Sequence, residues 1–400
     1  MSCDFAALLQ EIRQRRNWTQ AELAEAVGYS QSWVSKVLRR RQALTLDQAR
    51  EIARRLGIPV HLLRFGSLGG EVPTKRRDFG KAIALALVPW PAPAGADQST
   101  APTLNAITNA QRRLDASTPA RELARGVVPH VEMANRMLGR ARGPRVAADV
   151  AAALSEAAGL AGWLHTDMCD HGTARHYYRL AVDAARHAGH DLLAGYMLGS
   201  LAAFEIDTGD HVGGLRLIAR AREQMAGENH PTPRAWLAAI EALGHASERG
   251  GAHAADDAVE RAGVAVEADL GMTEPPWPWI FPFDQAKLAG YRALVCVRLG
   301  RPGDALAAFA DSLVAPQPAP KQRAVIMLEV ATAACEEGVR EKDTARIDEA
   351  FGLATEALTL GEQYDSGRVM QRSRMFRRDY AGPITSSVRA FDRRVNATIA

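Results

Sequence analysis

The chain has 400 residues, room for two or three domains, and its 47% hydrophobic and 24% charged residues exclude a largely disordered polymer. Aromatic residues make up only 6% and alanine is abundant, which favours closely packed helices over a β-sandwich. The net charge of +3 is unevenly placed: residues 1–66 carry eleven Lys and Arg against six Asp and Glu, net +5, leaving −2 for the remainder.

Residues 4–16 read as a first helix, with Phe5, Leu8, Leu9 and Ile12 on its apolar side. Arg13, Arg15 and Arg16 sit at its end, where cations favour the helix dipole. With a helix read so near the start, no N-terminal signal peptide is expected. Thr19-Gln20-Ala21-Glu22 is a capping box opening a second helix, with Leu23, Ala24 and Val27 as its apolar stripe. Gly28 suits a left-handed turn, and Ser30 caps a third helix that runs through Leu38.

At 100° per residue, Val34, Val37 and Leu38 of this third helix point towards a core. Ser32, Lys36 and Arg39 point outward, Ser35 and Trp33 flank that face, and Gln31 lies at the exposed first turn. Arg40 and Arg41 follow. The outer face thus carries amide, hydroxyl and cationic groups and no carboxylate, as base edges and phosphates require. Thr45-Leu46-Asp47-Gln48 opens a fourth helix, with Leu46, Ala49, Ile52, Ala53 and Leu56 inside, which Gly57-Ile58-Pro59 stops. A short fifth helix is predicted from Val60 to Phe65.

The pattern Thr-Gln-x-x-Leu-Ala-x-x-x-Gly at Thr19–Gly28, followed by a short polar-started helix, resembles the Cro/C1 (XRE) class of phage-repressor DNA-binding domains. The resemblance implies a five-helix, lambda-repressor-like domain over residues 1–66 that binds double-stranded DNA. Gln31, Ser32 and Lys36 match the base-contacting positions of that class, and Gln20 matches a backbone-positioning glutamine. Phosphate contacts are assigned to Gln20, Ser30, Ser35, Arg39, Arg40 and Arg41. Two departures bear on the target sequence rather than on the fold: the bulk of Trp33, and Arg39-Arg40-Arg41 in place of an acidic-Asn-Gly type of turn. The modest basic excess points to a homodimer as the binding species.

Residues 67–103, rich in glycine, proline and small side chains, read as a linker. Lys75-Arg76-Arg77 before the apolar run Ala82–Val88 has the look of a twin-arginine export signal. Its internal position and a run far short of the ~20 residues that span a bilayer argue instead for a linker helix, and no membrane association is expected.

From Leu104 onward the pattern is almost wholly helical. Segments 166–190, 207–227 and 297–313 each join a helix end, a glycine turn and a second helix of small and apolar residues. Helix starts near Val146, Asp191, Arg234, Asp284 and Lys321 recur roughly every 40 residues, with a final pair at Thr344–Leu360 and Thr385–Ile399. Residues 104–400 are similar to a tetratricopeptide (TPR) array in degenerate form. An XRE domain joined to such an array resembles a large class of bacterial regulators that includes the peptide-pheromone-responsive ones. The resemblance implies a sensor and dimerisation domain whose concave surface takes a peptide or small-molecule effector. The fold expected overall is all-α, a DNA-binding domain followed by an α-solenoid.

His165, Cys169, His171 and His176 are metal-capable, but their spacing fits no zinc pattern, and a solvated inter-helix turn is the preferred reading. Residues 272–284 hold four prolines and a rigid aromatic group. They either plug the array or offer Trp277, Trp279 and Phe281 to a ligand. No nucleophile elbow, phosphate loop, HExxH pair or dinucleotide fingerprint occurs, so neither an enzyme nor a cofactor is expected. Cys3, Cys169, Cys296 and Cys335 form no CxxC pair, consistent with a reducing, cytoplasmic setting. The function expected is a sequence-specific transcriptional regulator. The alternative is a protein-interaction scaffold in which the array binds a partner and the N-terminal domain docks or weakly tethers to DNA.

Overall fold

Abundant alanine lets helices approach closely, and every regular element among the described residues is helical. The computed structural model describes Leu9, Gln10, Arg13, residues 18–39, Gln42, Gln48, Glu51, Ile52, Arg55 and residues 95–227, 230–268, 283–313 and 320–397. The predicted helix Val60–Phe65, the segments 75–77 and 82–88, and Arg40, Arg41, Trp277, Trp279 and Phe281 lie outside these residues. The chain divides into two compact units, Met1–Ala94 and Gly95–Ala400.

The first unit contains α1 (Gln20–Val27) and α2 (Gln31–Leu38). Leu23, Ala24, Val27, Val34 and Val37 are buried, together with Leu9 and Ile52 from flanking helical segments. Leu38, expected inside, is only half-buried against this core.

The second unit opens with α3 (Thr100–Asp115), α4 (Ala120–Leu138), α5 (Pro144–Asp167) and α6 (His171–His187). It continues with α7 (Asp191–Asp207), α8 (His211–Gln224), α9 (Pro231–Ala246) and α10 (Ala252–Ala268). Next come α11 (Gln285–Arg298), α12 (Pro302–Asp311), α13 (Pro320–Glu341) and α14 (Thr344–Gln363). The last are α15 (Gly367–Asp379) and α16 (Ser386–Ala397). Successive helices pack as hairpins, and the leading helices α5, α7, α9, α11, α13 and α15 each touch the next leading helix. This is a stacked array in which each hairpin mainly contacts its neighbours.

The turns have a shared chemistry. Cys169, Gly189, Gly209, Gly300, Lys342 and Asp365 all take left-handed φ values, between 44° and 101°, just before the next N-cap. Asp170, Asp210, Asp343 and Ser366 then accept hydrogen bonds from first-turn amides of α6, α8, α14 and α15. A left-handed residue ends one helix and a short polar side chain starts the next.

Three differences from the sequence reading have local causes. First, α3 begins at Thr100, inside the stretch 67–103 expected to be linker. Asp97 Oδ1 accepts from Ser99 N at 2.9 Å, Ser99 Oγ at 2.6 Å and Thr100 Oγ1 at 3.2 Å, which organises the start. Pro102 falls in the first turn, where its missing N–H is not needed. Second, α15 lies between the two helices predicted as the final pair. It buries only Val369, Ser373 and Phe376, so its apolar stripe is faint. Third, His165 is buried rather than solvated: it faces inward on α5, stacks on Tyr177 at 5.4 Å, and places Nδ1 3.4 Å from Asp170 Oδ2.

The array also meets itself. Helix α15 packs against α5. Lys321 of α13 reaches Asp115 and Asp167, and Ser366 Oγ donates to Asp167 Oδ1 at 2.5 Å. Arg372 Nη2 lies 2.6 Å from Asp207 Oδ1 and also pairs with Glu329, while Arg368 sits 5.0 Å over the Trp163 ring. Helices α5, α7, α13 and α15 are therefore tied together by charge. No helix among the described residues is long and apolar enough to cross a membrane.

Candidate nucleic-acid interface

The local signals at α1 hold in detail. Thr19 Oγ1 accepts from Glu22 N at 3.2 Å, while Glu22 Oε2 accepts from Thr19 N at 2.7 Å and Thr19 Oγ1 at 2.9 Å. These bonds hold the Glu22 carboxyl below its ordinary range, the backbone amide of Thr19 contributing most. Glu22 is thereby turned back onto its own cap.

Gly28 adopts φ 74° and ψ 31°, a conformation open to glycine at little cost, and turns the chain into α2. Ser30 Oγ accepts from Trp33 N at 3.2 Å. Its hydroxyl hydrogen remains able to donate elsewhere. The Trp33 ring stacks on Tyr29, centroids 3.9 Å apart and planes 15° apart, leaving Trp33 half-buried. The tryptophan that the sequence placed beside the outer face therefore also braces the turn. Tyr29 was not anticipated in that role, since only an i, i+4 aromatic spacing hints at it.

With Val34 and Val37 inside, Gln31, Ser32, Lys36 and Arg39 are exposed and Ser35 is half-buried. Ser32, Lys36 and Arg39 follow at i, i+4 and i+7, one stripe of a helix. No carboxylate occurs in α2. Gln20 is half-buried at the first position of α1, and Ser30 is exposed at the turn.

The remaining candidates separate. His171 meets Phe204 edge-on at 6.0 Å, and His176 meets Tyr177 at 5.4 Å. Cys169 sits at the left-handed turn position, its thiol pushed up chiefly by burial. Among the described residues, no group of three or more His, Cys, Asp or Glu is placed to hold a metal ion.

Two short capped helices, a left-handed glycine between them and a polar-cationic outer face define a helix-turn-helix. A family model described as a helix-turn-helix domain matches residues 4–65, which identifies this part of the chain as a DNA-binding module. Comparison with curated proteins finds no match.

Proposed function

We propose that the protein is a sequence-specific transcriptional regulator of the XRE (Cro/C1) type. Helix α2 enters the major groove, where Gln31, Ser32 and Lys36 read base edges. Gln20, Ser30, Ser35 and Arg39, with Arg40 and Arg41, hold phosphates. The observation that carries this reading is the exposed, carboxylate-free stripe of α2, preceded by a helix whose Glu22 is already engaged by Thr19.

The second unit acts, in this reading, as a TPR-like sensor and dimerisation domain of a non-enzymatic, cytoplasmic protein. Two reading helices in a homodimer must match half-sites about one turn, ~34 Å, apart. A peptide or small-molecule effector that changes the array's curvature would alter that match. Because ion pairs of Lys321 with Asp167 and of Arg372 with Asp207 tie α5, α7, α13 and α15 together, an effector acting there displaces those pairs.

The test is capture of fragmented source-genome DNA by the full-length protein at near-physiological salt, followed by sequencing. Sharp peaks sharing an inverted repeat are expected. Uniform or absent enrichment, persisting when residues 1–66 are dimerised artificially, overturns the reading in favour of the scaffold.

A further inference from the structure

Outside the helix-turn-helix, basic charge gathers in two stretches, residues 112–145 and residues 364–400, each with eight arginines against three carboxylates. Residues 364–400 hold eight arginines and three aspartates, net +5, matching the +5 of residues 1–66. With a total of +3, residues 67–363 carry −7. The last two helices thus form one basic end of an array whose middle is acidic.

Folding sorts these arginines. Arg368 and Arg372 turn towards Trp163, Asp207 and Glu329. Arg377 pairs with Asp392, Arg378 with its neighbour Asp379, and Arg394 with Glu362. Arg374, Arg389 and Arg393 are exposed, and no ion pair of theirs occurs among the described residues. Arg389 Nη1 donates to Ile384 O at 3.0 Å, and no other acceptor meets its guanidinium among the described residues.

Helix α16 buries Val388, Phe391 and Val395 and exposes Ser386, Arg389, Ala390, Arg393 and Asn396. Helix α15 buries Val369, Ser373 and Phe376 and exposes Gln371, Arg374, Met375, Arg378 and Asp379, the last two paired with each other. The outer face of α16 repeats the chemistry of α2: hydroxyl, amide and guanidinium groups without a carboxylate. A terminal hairpin needs a polar outer face to end the stack, but either sign or a mixture of signs serves that purpose. Arg389 and Arg393 are like charges at i, i+4, an arrangement that weakens a helix, so folding alone does not favour it.

We propose that the outer faces of α15 and α16 form a second DNA contact, independent of base sequence, in which Arg374, Arg389 and Arg393 hold backbone phosphates. The proposal rests on the DNA-binding reading of α1 and α2. Duplex DNA is the occupant that both charge complementarity and the helix-turn-helix in the same chain support.

The test compares the full-length protein with the triple variant Arg374→Ala/Arg389→Ala/Arg393→Ala and with Lys36→Ala. Each is titrated with salt on a captured fragment and on an unrelated duplex of equal length, and circular dichroism checks that the exposed substitutions leave the helices intact. Per chain, the triple variant should lose up to about 2.7 from the log–log salt slope, ~0.9 per phosphate, and weaken binding equally on both duplexes. An unchanged slope and affinity overturn the proposal while Lys36→Ala still weakens binding to the captured fragment. If the wild type binds neither duplex, the DNA reading itself fails and takes this proposal with it. Loss of binding to phosphatidylserine vesicles with the DNA slope intact assigns the face to a membrane and also overturns it.

Discussion

Lys321 Nζ stands 3.2 Å from Asp167 Oδ2, joining side chains that are only 3% and 1% exposed. The same ammonium lies 3.2 Å from Asp115 Oδ1 and donates to Thr118 O at 3.3 Å, and the other Asp167 oxygen accepts from Ser366. One buried carboxylate thus links α5, α13 and α15. Dehydrating two charges offsets much of their attraction, so the pair contributes alignment of distant hairpins more than net stability.

Removing one partner leaves the other buried and unpaired. Lys321→Ala is expected to lower the unfolding free energy of the second unit by about 3–5 kcal/mol, read from urea denaturation. Lys321→Met combined with Asp167→Leu should recover most of the loss. A single substitution costing under about 1 kcal/mol would show that water reaches the pair.

Close packing gives a second prediction. A Cβ built on Gly199 of α7 would lie 2.5 Å from Trp236 Cζ3 and 2.8 Å from Leu237 Cδ2, both on α9. Gly199→Ala therefore overfills the joint between successive leading helices and should cost about 1–3 kcal/mol, despite the better helix propensity of alanine. A Tm equal to or above that of the wild type would contradict the close approach.

The α5–α6 turn predicts a pH dependence. The Asp170 carboxyl is held well below its ordinary value of 3.8, first by the hydrogen bond from His165 and then by the hydroxyl and amide of Thr173, against the opposing effect of burial. A depressed folded-state value means a contribution fully present above the unfolded value and lost as pH falls through the folded one. The wild type should therefore lose this part of its stability below about pH 4, and Asp170→Ala should lack that part of the acid slope. Near pH 7 the lost cap should cost about 1 kcal/mol in thermal or urea unfolding. Parallel stability curves from pH 7 to 2 would remove Asp170 from the acid response.

Specificity and affinity should separate at α2. Lys36→Ala is expected to weaken operator binding and change the preferred base at one position, a loss of about 1–3 kcal/mol on the best site. Arg39→Ala should weaken binding alike on all duplexes and reduce the salt slope by about 1. Competition binding across a randomised site measures both. An equal loss on every sequence for Lys36→Ala would move that residue to the phosphates.

Much of the fold was legible because its signals are local. The capping box at Thr19 and Glu22, the glycine turn at Gly28 and the cap at Ser30 act within one or two turns of chain, and they appear where the residues place them. Helix starts expected near Val146, Asp191, Arg234, Asp284 and Lys321 fall at Pro144, Asp191, Pro231, Gln285 and Pro320. The exposed stripe Gln31, Ser32, Lys36 and Arg39 follows from helical periodicity against Val34 and Val37.

Other features depend on partners far along the chain. The weak stripe of α15 becomes a helix because Val369 and Phe376 enter a core built with Ile347, Phe351 and Phe391. His165 is buried because α5 turns it inward beside Tyr177. Nothing in the composition of residues 364–400 distinguishes Arg372, spent on Asp207 165 residues away, from Arg374, left exposed. Helix periodicity and caps are written in neighbouring residues. Which charges meet is set by how the hairpins stack, through contacts that exist once the whole array has closed on itself.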